Sequence, residues 1–311
     1  MLKILVLGAA AGGGFPQWNS NQDGCNRARR GDPAAIAQTQ SSIAVSSDGN
    51  DWHLMNASPD LRQQFFDNWQ MHPQTGMRHS PVKTVTLTNG DVDHIAGLLI
   101  MRESHPFGIY ATDRVLSVLR DNSIFRVLNP EFVQQRKIDL RTPFELAAAD
   151  GTASGIEVEI FPVPGKVALY LEDASSSDNF GTREDDTVGV RVSAKETGEY
   201  FYYIPGCAAF PQELADRLQG APLVLFDGTL WQDDEMITMG TRVPKTGKRM
   251  GHMSMSGPQG SIAAFRELNI GRKVFIHINN TNPVLLADSD ARQEILESGW
   301  EIARDGMEIT L

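Results

Sequence analysis

Short apolar runs separated by turn-forming residues recur along the chain and predict a protein rich in β-strands. Residues 2–7 and 223–227 are apolar almost throughout, which is typical of strands that are buried on both faces. Further strands are predicted at residues 41–46, 52–56, 82–87, 156–162, 168–171, 187–193, 200–204, 273–278 and within 300–310.

Segments with helical spacing lie between these runs. One helix is expected to begin at Ser58, which suits the N-cap, with Pro59 at its first position. Strands and helices alternate without a linker rich in Pro, Gly or Ser, which predicts one α/β domain over residues 1–311, with mixed sheets covered by helices. A polar run at 173–186 predicts a mobile loop. The other predicted helices span residues 95–101, 113–121, 211–219, 257–268 and 288–298.

Composition and charge narrow the class of protein. Hydrophobic residues make up 41% of the 311 residues, which is enough for a sizeable core. The formal net charge of −11 repels phosphate backbones, so nucleic-acid binding is not expected. The two cysteines, Cys25 and Cys207, do not make a disulfide framework and favour a reducing cytoplasm. No apolar run approaches the roughly 20 residues that span a bilayer, so membrane insertion is not expected.

Candidate chemistry is concentrated at residues 88–97 (TNGDVDHIAG), where a predicted strand gives way to a predicted helix. Two carboxylates and an imidazole, those of Asp91, Asp93 and His94, lie close together in this segment. Ligands of α/β folds bind outside the carboxyl ends of strands, which is where the segment falls. Asp93 could be a simple helix N-cap, but capping does not explain the adjacent histidine.

Two other apolar strands carry polar side chains that could join the same site. Asp227 ends one of these strands, and His277 lies in the other. His252 is placed between them in a loop rich in Gly and Ser. Each histidine alone would be unremarkable, but polar side chains on three strands together favour a common site.

A bound metal would explain these positions together, because neighbouring carboxylates repel each other unless a cation lies between them. Asp93, His94 and His277 supply two histidines and one carboxylate, a set that leaves coordination positions open and suits non-haem Fe(II). Asp227 and Asp91 would complete or orient this set. Zinc or another divalent metal could occupy the same site in purified protein, although oxygen-rich donors are less typical of zinc.

Glycine-rich residues 8–14 follow the first predicted strand but do not predict a dinucleotide site. The G-x-G-x-x-G spacing is absent because residue 10 is Ala, and no clear helical segment follows. We expect this turn to let the backbone pass close to the metal or the substrate.

Residues 89–97 resemble the His-x-His-x-Asp-His motif of the metallo-β-lactamase superfamily. Asp93 and His94 match the motif, whereas Asn89 and Asp91 replace its first two histidines. The resemblance implies an α/β fold of the αββα type, a four-layer sandwich. The replacements argue against a binuclear zinc centre rich in histidine.

The rest of the superfamily pattern maps onto distant residues. Asp227 falls where the superfamily places a bridging aspartate, and His277 falls where it places its last histidine. His252 falls where some members carry a catalytic histidine. A lysine, Lys166, stands at the place of the middle histidine.

Longer strings spread over nearly the whole chain resemble the PqqB family of pyrroloquinoline quinone (PQQ) biosynthesis. Members of this family often continue Trp-Asn with Cys-x-Cys-x-x-Cys, a structural zinc site. Ser20 and Gln22 stand at the first two of these positions and only Cys25 is a thiol, which argues against a zinc there. The matching strings are AAGGGFPQWN (10–19), NASPDLR (56–62), DHIAGLL (93–99), FDGTLWQDDEM (226–236), MGHMSMSGP (250–258) and IHINNTNP (276–283).

The resemblance implies an Fe(II)-dependent hydroxylase that adds oxygen to the tyrosine ring of a cross-linked Glu–Tyr intermediate. In this hypothesis His252 moves protons, and Lys166 and Arg249 bind substrate carboxylates. The predicted site residues are Asp93, His94 and His277 for the metal, His252, Asp227 and Lys166 for catalysis, and Asn89, Asp91 and Arg249 for the substrate.

Two alternatives remain open from the sequence. The chain could be a non-enzymatic carrier of PQQ or its precursor to the periplasm, or a metal-dependent hydrolase that uses the same fold. The expected partners are a small or dipeptide-like PQQ precursor, molecular oxygen and other PQQ biosynthesis proteins.

Overall fold

The computed structural model describes residues 1–173, 175, 180–241 and 245–311, and within them two β-sheets face each other. The first sheet contains β1 (Lys3–Gly8), β2 (Ser42–Ser46), β3 (Trp52–Met55), β4 (Val82–Thr86), β5 (Phe107–Ala111), β6 (Val133–Lys137) and β14 (Glu308–Thr310). Their spatial order is β14-β1-β2-β3-β4-β5-β6. Pairing is antiparallel from β14 to β3 and parallel from β3 to β6.

The second sheet repeats this arrangement, with antiparallel pairs first along the chain and parallel pairs after them. It contains β7 (Phe144–Ala147), β8 (Ala153–Pro162), β9 (Val188–Ala194), β10 (Tyr200–Ile204), β11 (Leu223–Asp227), β12 (Arg272–Ile276) and β13 (Glu301–Ile302). Their spatial order is β13-β12-β11-β10-β9-β8-β7. Strands β7 to β10 pair antiparallel, and β10 to β13 pair parallel.

Side-chain alternation explains why the central strands are apolar almost throughout. Ile4 and Val6 of β1 pack into the core between the sheets, whereas Leu5 and Leu7 pack against the outer helices. Both faces of these strands are therefore buried, and polar side chains have no solvent-facing positions to occupy. The fold is a four-layer αββα sandwich, as the resemblance to the metallo-β-lactamase superfamily implied.

Helices cover the outer face of each sheet. Leu61, Val115 and Leu119 pack on the first sheet, and Leu218 and Ile295 pack on the second. The helices that the structure describes are α1 (Asp23–Arg29), α2 (Leu61–Asp67), α3 (Val92–Ile95), α4 (Asp113–Asp121), α5 (Gln212–Leu218), α6 (Glu235–Thr238), α7 (Gly247–Met250), α8 (Ser261–Ala264) and α9 (Asp290–Glu297).

Some predicted elements differ from the observed ones. The strand predicted at 168–171 is wrong, because Leu169–Leu171 forms a 3₁₀ turn. Helix α2 begins at Leu61 rather than at Pro59. Ser58 does not cap it, because its hydroxyl lies 3.0 Å from the Gln64 side-chain oxygen. Strands β5, β6 and β7 were not predicted.

Residues 174 and 176–179 of the loop predicted at 173–186 lie outside the described residues. Among the residues that are described, no helix combines the length and apolar character needed to cross a bilayer.

Candidate metal centre

Three strand ends from the two sheets meet and carry the candidate site. Strand β4 leads through residues 88–91 into α3, which carries Asp93 and His94. Strand β11 ends at Asp227, and His277 directly follows β12. The site therefore lies outside carboxyl ends of strands, where α/β folds bind ligands.

Asp93, His94 and His277 converge as the sequence predicted, with one potential ligand atom from each within 4.8 Å of the others. Asp93 Oδ2 lies 3.1 Å from His277 Nε2 and 4.0 Å from His94 Nε2. His277 adopts a left-handed backbone conformation with φ 61°. This conformation is uncommon outside glycine and occurs where the surrounding structure requires it.

A second group shares His277 with the first. Ligand atoms of Asp227, His252 and His277 also lie within 4.8 Å of one another. The rings of His252 and His277 are stacked with centroids 5.2 Å apart. His252 Nδ1 lies 2.7 Å from Asp227 Oδ2, which makes Asp227 the partner of His252 rather than an isolated carboxylate.

The environment of His94 fits a bound cation. His94 Nδ1 lies 2.7 Å from Asn89 Oδ1, so the proton belongs on Nδ1 and the lone pair on Nε2. Nε2 is buried and has no hydrogen-bond partner among the described residues. Such an unpaired buried acceptor costs about 1–3 kcal/mol. A metal held by His94, Asp93 and His277 would remove this cost, and the donor types suit a divalent ion.

The backbone of the glycine-rich turn also passes close to Asp93. Gly12, in the glycine-rich turn after β1, comes so close that a Cβ there would lie 3.3 Å from Asp93 Oδ2. The expectation that this turn passes close to the site is therefore confirmed.

Thr229 connects the ligand groups, and the sequence did not identify it. Its hydroxyl donates to Asp227 Oδ1 at 2.6 Å and lies 2.8 Å from His277 Nδ1. Because Thr229 can accept from Nδ1, His277 Nε2 could present its lone pair to a bound metal in place of the hydrogen bond that it makes with Asp93 at 3.1 Å. His252 Nδ1 is 3.0 Å from the same hydroxyl. The Asp-Gly-Thr sequence after β11 was the available signal.

Asn89 and Asp91 lie beside the first ligand group. Asn89 Nδ2 donates to Asp91 Oδ2 at 3.0 Å, while Asn89 Oδ1 contacts His94. Asp91, not Asp93, occupies the N-cap position of α3, and its side chain makes no capping hydrogen bond. The interpretation of Asp93 as an N-cap is therefore wrong.

Burial and neighbouring charges shift the pKa values of these groups. Burial and then the nearby Asp93 charge raise the pKa of Asp91 to about 6. Burial opposes ionisation of Asp93, but His94 and a hydrogen bond with His277 hold the pKa of Asp93 well below its usual range. Burial lowers the pKa of His94 to about 4, so this imidazole is neutral near pH 7, as a metal ligand must be.

The pKa of His252 moves in the opposite direction. Burial opposes its charged form, but the charge and hydrogen bond of Asp227 outweigh burial and raise the pKa of His252. The imidazolium form of His252 is therefore more accessible than that of His94, which suits a group that holds or transfers a proton.

Lys166 and Arg249 converge on an acid that the sequence analysis missed. Glu172 accepts from Lys166 Nζ at 2.8 Å and from the two terminal nitrogens of Arg249 at 2.9 and 2.7 Å. Hydrogen bonds from Arg249, and then from Lys166, lower the pKa of Glu172 to about 2 against the opposing effect of burial. Both cations line a cavity of about 720 Å³.

The positions of the family's structural zinc do not form a ligand cluster here. Cys25 is buried, and its thiol lies 3.7 Å from Asn280 Oδ1. Among the described residues, neither of the two groups that could hold a metal includes Cys25.

Comparisons with known proteins agree with this geometry. The family model of the beta-lactamase superfamily domain matches residues 51–278. Coenzyme PQQ synthesis protein B of Rhodopseudomonas palustris is 51% identical over 312 residues, covering 100% of both chains. The protein of the same name from Xanthomonas oryzae pv. oryzae is 50% identical, again over 100% of both chains.

A solved structure is similar over nearly the whole length. The crystal structure of Zn²⁺-bound PqqB from Methylobacterium extorquens has a TM-score of 0.93 and 49% sequence identity, and the match covers 99% of this chain and 100% of that one. The chain therefore belongs to the coenzyme PQQ synthesis protein B family, within the beta-lactamase superfamily.

Proposed function

We propose that this protein acts in PQQ biosynthesis as an Fe(II)-dependent hydroxylase of the tyrosine ring in a peptide-derived Glu–Tyr intermediate. Membership of the family supports the pathway. The observation that carries the metal-dependent chemistry is the group Asp93, His94 and His277, with the unpaired Nε2 of His94 buried within it. Two histidines and one carboxylate are typical of non-haem Fe(II) oxygenases.

Asp93, His94 and His277 would hold the metal, and Fe(II) supplies the activation of molecular oxygen when it is bound. The chain contributes the orientation of the ligands. Asn89 and Thr229 each contact an Nδ1 atom, which keeps the Nε2 lone pairs of His94 and His277 directed to the metal position. Zinc could occupy the same donors.

His252 would transfer the proton of the substrate phenol. Its Nδ1 is held 2.7 Å from Asp227, which stabilises the imidazolium form and leaves Nε2 for the substrate. Asp91 would contact the substrate beside the metal ligands, and Asn89 would act through Asp91, whose carboxylate it holds.

The decisive experiment is anaerobic loading of the protein with Fe(II), followed by addition of a cross-linked Glu–Tyr substrate, oxygen and a two-electron reductant such as ascorbate. The reductant is required because insertion of one oxygen atom into the ring leaves the other atom of O₂ to be reduced to water. We expect oxygen uptake and a product that is heavier by the mass of inserted oxygen. His277→Ala should abolish both metal retention and product formation. His72→Ala changes an exposed histidine outside the site and is the matched control.

Absence of oxygen uptake with this substrate would refute the hydroxylase. Chelator-sensitive, multi-turnover cleavage of an ester or peptide would then indicate a hydrolase. Tight PQQ binding that survives Asp93→Ala and His94→Ala would instead indicate a carrier.

A further inference from the structure

The 720 Å³ cavity beside the metal centre has a charge opposite to that of the protein as a whole. The chain carries a formal charge of −11. Two acids, Glu184 and Glu213, line the cavity, and Glu172 contacts two of its cations. The basic residues that line it are Arg141, Lys166, Arg183, Lys248 and Arg249. Five cations against three acids give a local excess of positive charge.

The cavity shares a wall with the metal centre. A Cβ at Gly251 would lie 3.0 Å from the Lys166 Cβ, and Gly251 directly precedes His252. Lys166 therefore lines the cavity and also lies next to the segment that carries His252.

Two of the cations that line the cavity, Lys166 and Arg249, share the carboxylate of Glu172. The side chains of Lys166, Glu172 and Arg249 are only 15%, 12% and 33% exposed. Glu172 offsets one of the two positive charges, so the group retains a formal charge of +1 away from bulk water. Partly buried charges are screened less than surface charges, and the group therefore attracts an anion more strongly than an exposed lysine would.

Glu172 also orients the arginine. The bidentate contact fixes the guanidinium plane and leaves further N–H groups free to donate. The ring of Phe180 lies 4.0 Å from the guanidinium carbon and supports one face of it. The N–H donors of a guanidinium fixed in this way lie in one plane, which suits them to a planar carboxylate.

The metal centre, in contrast to the cavity, is surrounded by negatively charged side chains. Asp91, Asp93 and Asp227 place carboxylates around the two histidine groups. A substrate with carboxylates at one end and a phenol at the other would therefore bind with its carboxylates in the cavity and its ring at the metal.

We propose that this cavity is the carboxylate-binding subsite of the enzyme. Lys166 and Arg249, held by Glu172, bind one carboxylate of an aromatic polycarboxylate, and Arg183 and Lys248 at the rim attract a second. The inference rests on the proposed function for the identity of the substrate. The prediction that the cavity binds carboxylates rests on the charges of its residues and concerns only the class of ligand.

The test is calorimetric binding of PQQ, an aromatic polycarboxylate, and of its trimethyl ester to the zinc-loaded protein. We expect Lys166→Gln and Arg249→Gln each to weaken PQQ binding by about tenfold or more, the usual effect of losing a charge-assisted hydrogen bond. Ester binding should be weaker than PQQ binding in the wild type and should not change in either variant. PQQ binding should also weaken as salt concentration rises.

Arg120→Gln removes an exposed arginine outside the cavity and should bind PQQ as the wild type does. Unchanged zinc content and thermal midpoint will show that each variant is folded. Equal PQQ affinity in the wild type and both cavity variants would overturn the subsite, even if oxygen insertion is observed. Charge-dependent PQQ binding without oxygen insertion would instead overturn the hydroxylase and leave the subsite intact.

Discussion

At the scale of single residues, Thr229 organises the site although it is not itself a proposed metal ligand. One hydroxyl contacts a carboxylate oxygen of Asp227 and the Nδ1 atoms of His252 and His277. Its own backbone N–H donates to the same Asp227 oxygen at 3.0 Å. The sequence predicted Asp227 and His277 from the apolar strands that carry them, and His252 from the loop between these strands. It could not show that Thr229 orients these residues, because a threonine after a strand is common and its contacts depend on the folded chain.

We expect Thr229→Val to lower metal affinity about 10- to 100-fold, as is usual when a partner that orients a ligand is lost. Valine keeps the shape but cannot accept from His277 Nδ1, so the ring is free to change tautomer. Thr229→Ser retains the hydroxyl and should restore most of the affinity, which a purely steric role would not predict. Competition with a chromophoric chelator measures the affinity. Wild-type affinity in the valine variant would contradict this role.

At the scale of elements, the sequence predicted best what is determined locally. Helix α4 and strands β10 and β11 have the predicted bounds, because apolar spacing and flanking turns mark them. Strand β6 (VQQRK) was missed because it is polar and lies at a sheet edge, where pairing with β5 stabilises it. The convergence of His277 with Asp93 was a hypothesis from strand ends. Only the packing of two sheets brings the two residues together.

Helix α3 is held in place by a close backbone contact at Gly97. The Gly97 N–H donates to Ala57 O at 2.9 Å, and a Cβ at Gly97 would lie 2.2 Å from Ser58 O. Gly97→Ala should therefore lower the free energy of unfolding by about 1–3 kcal/mol, the usual cost of overpacking. It should also weaken metal binding, because α3 carries Asp93 and His94.

The matched control is Gly24→Ala in helix α1. A Cβ there would lie 3.5 Å from the Phe15 ring, an ordinary contact. This change should be neutral or stabilising by about 0.5–1 kcal/mol, because alanine favours a helix over glycine. Urea unfolding measures both variants. Equal stabilities for the two would show that the Gly97 contact imposes no constraint.

At the scale of the whole molecule, two carboxyl groups that are largely shielded from water connect segments that are distant in sequence. Burial raises the pKa values of Glu235 and Asp305 to about 6. Asp305 accepts from Ala9 N at 3.0 Å and Thr39 N at 2.7 Å, and so ties the end of the chain to its beginning. These contacts fix the loops around the site, but near pH 7 the carboxylates are ionised in surroundings that favour the neutral acid.

The free-energy cost of ionising a buried carboxyl group can be measured at Glu235. Its Oε2 accepts from Trp231 N at 2.6 Å and its Oε1 accepts from Thr281 Oγ1 at 2.5 Å, so it links the loop after β11 to the segment after β12. Its pKa is raised from 4.5 to about 6, so it favours folding below about pH 4.5, and this contribution is lost as the pH rises through about 6. The loss corresponds to about 2 kcal/mol.

Glu235→Gln should therefore raise the free energy of unfolding by about 2 kcal/mol at pH 7–8, and this gain should shrink as the pH falls towards 4.5. The amide can keep both contacts, since its oxygen accepts from Trp231 N while its NH₂ donates to the Thr281 hydroxyl. Urea unfolding over this pH range measures the effect, with exposed Glu131→Gln as the control. A gain that is independent of pH, or a loss above pH 6, would show that the Glu235 carboxylate is well accommodated in its charged form.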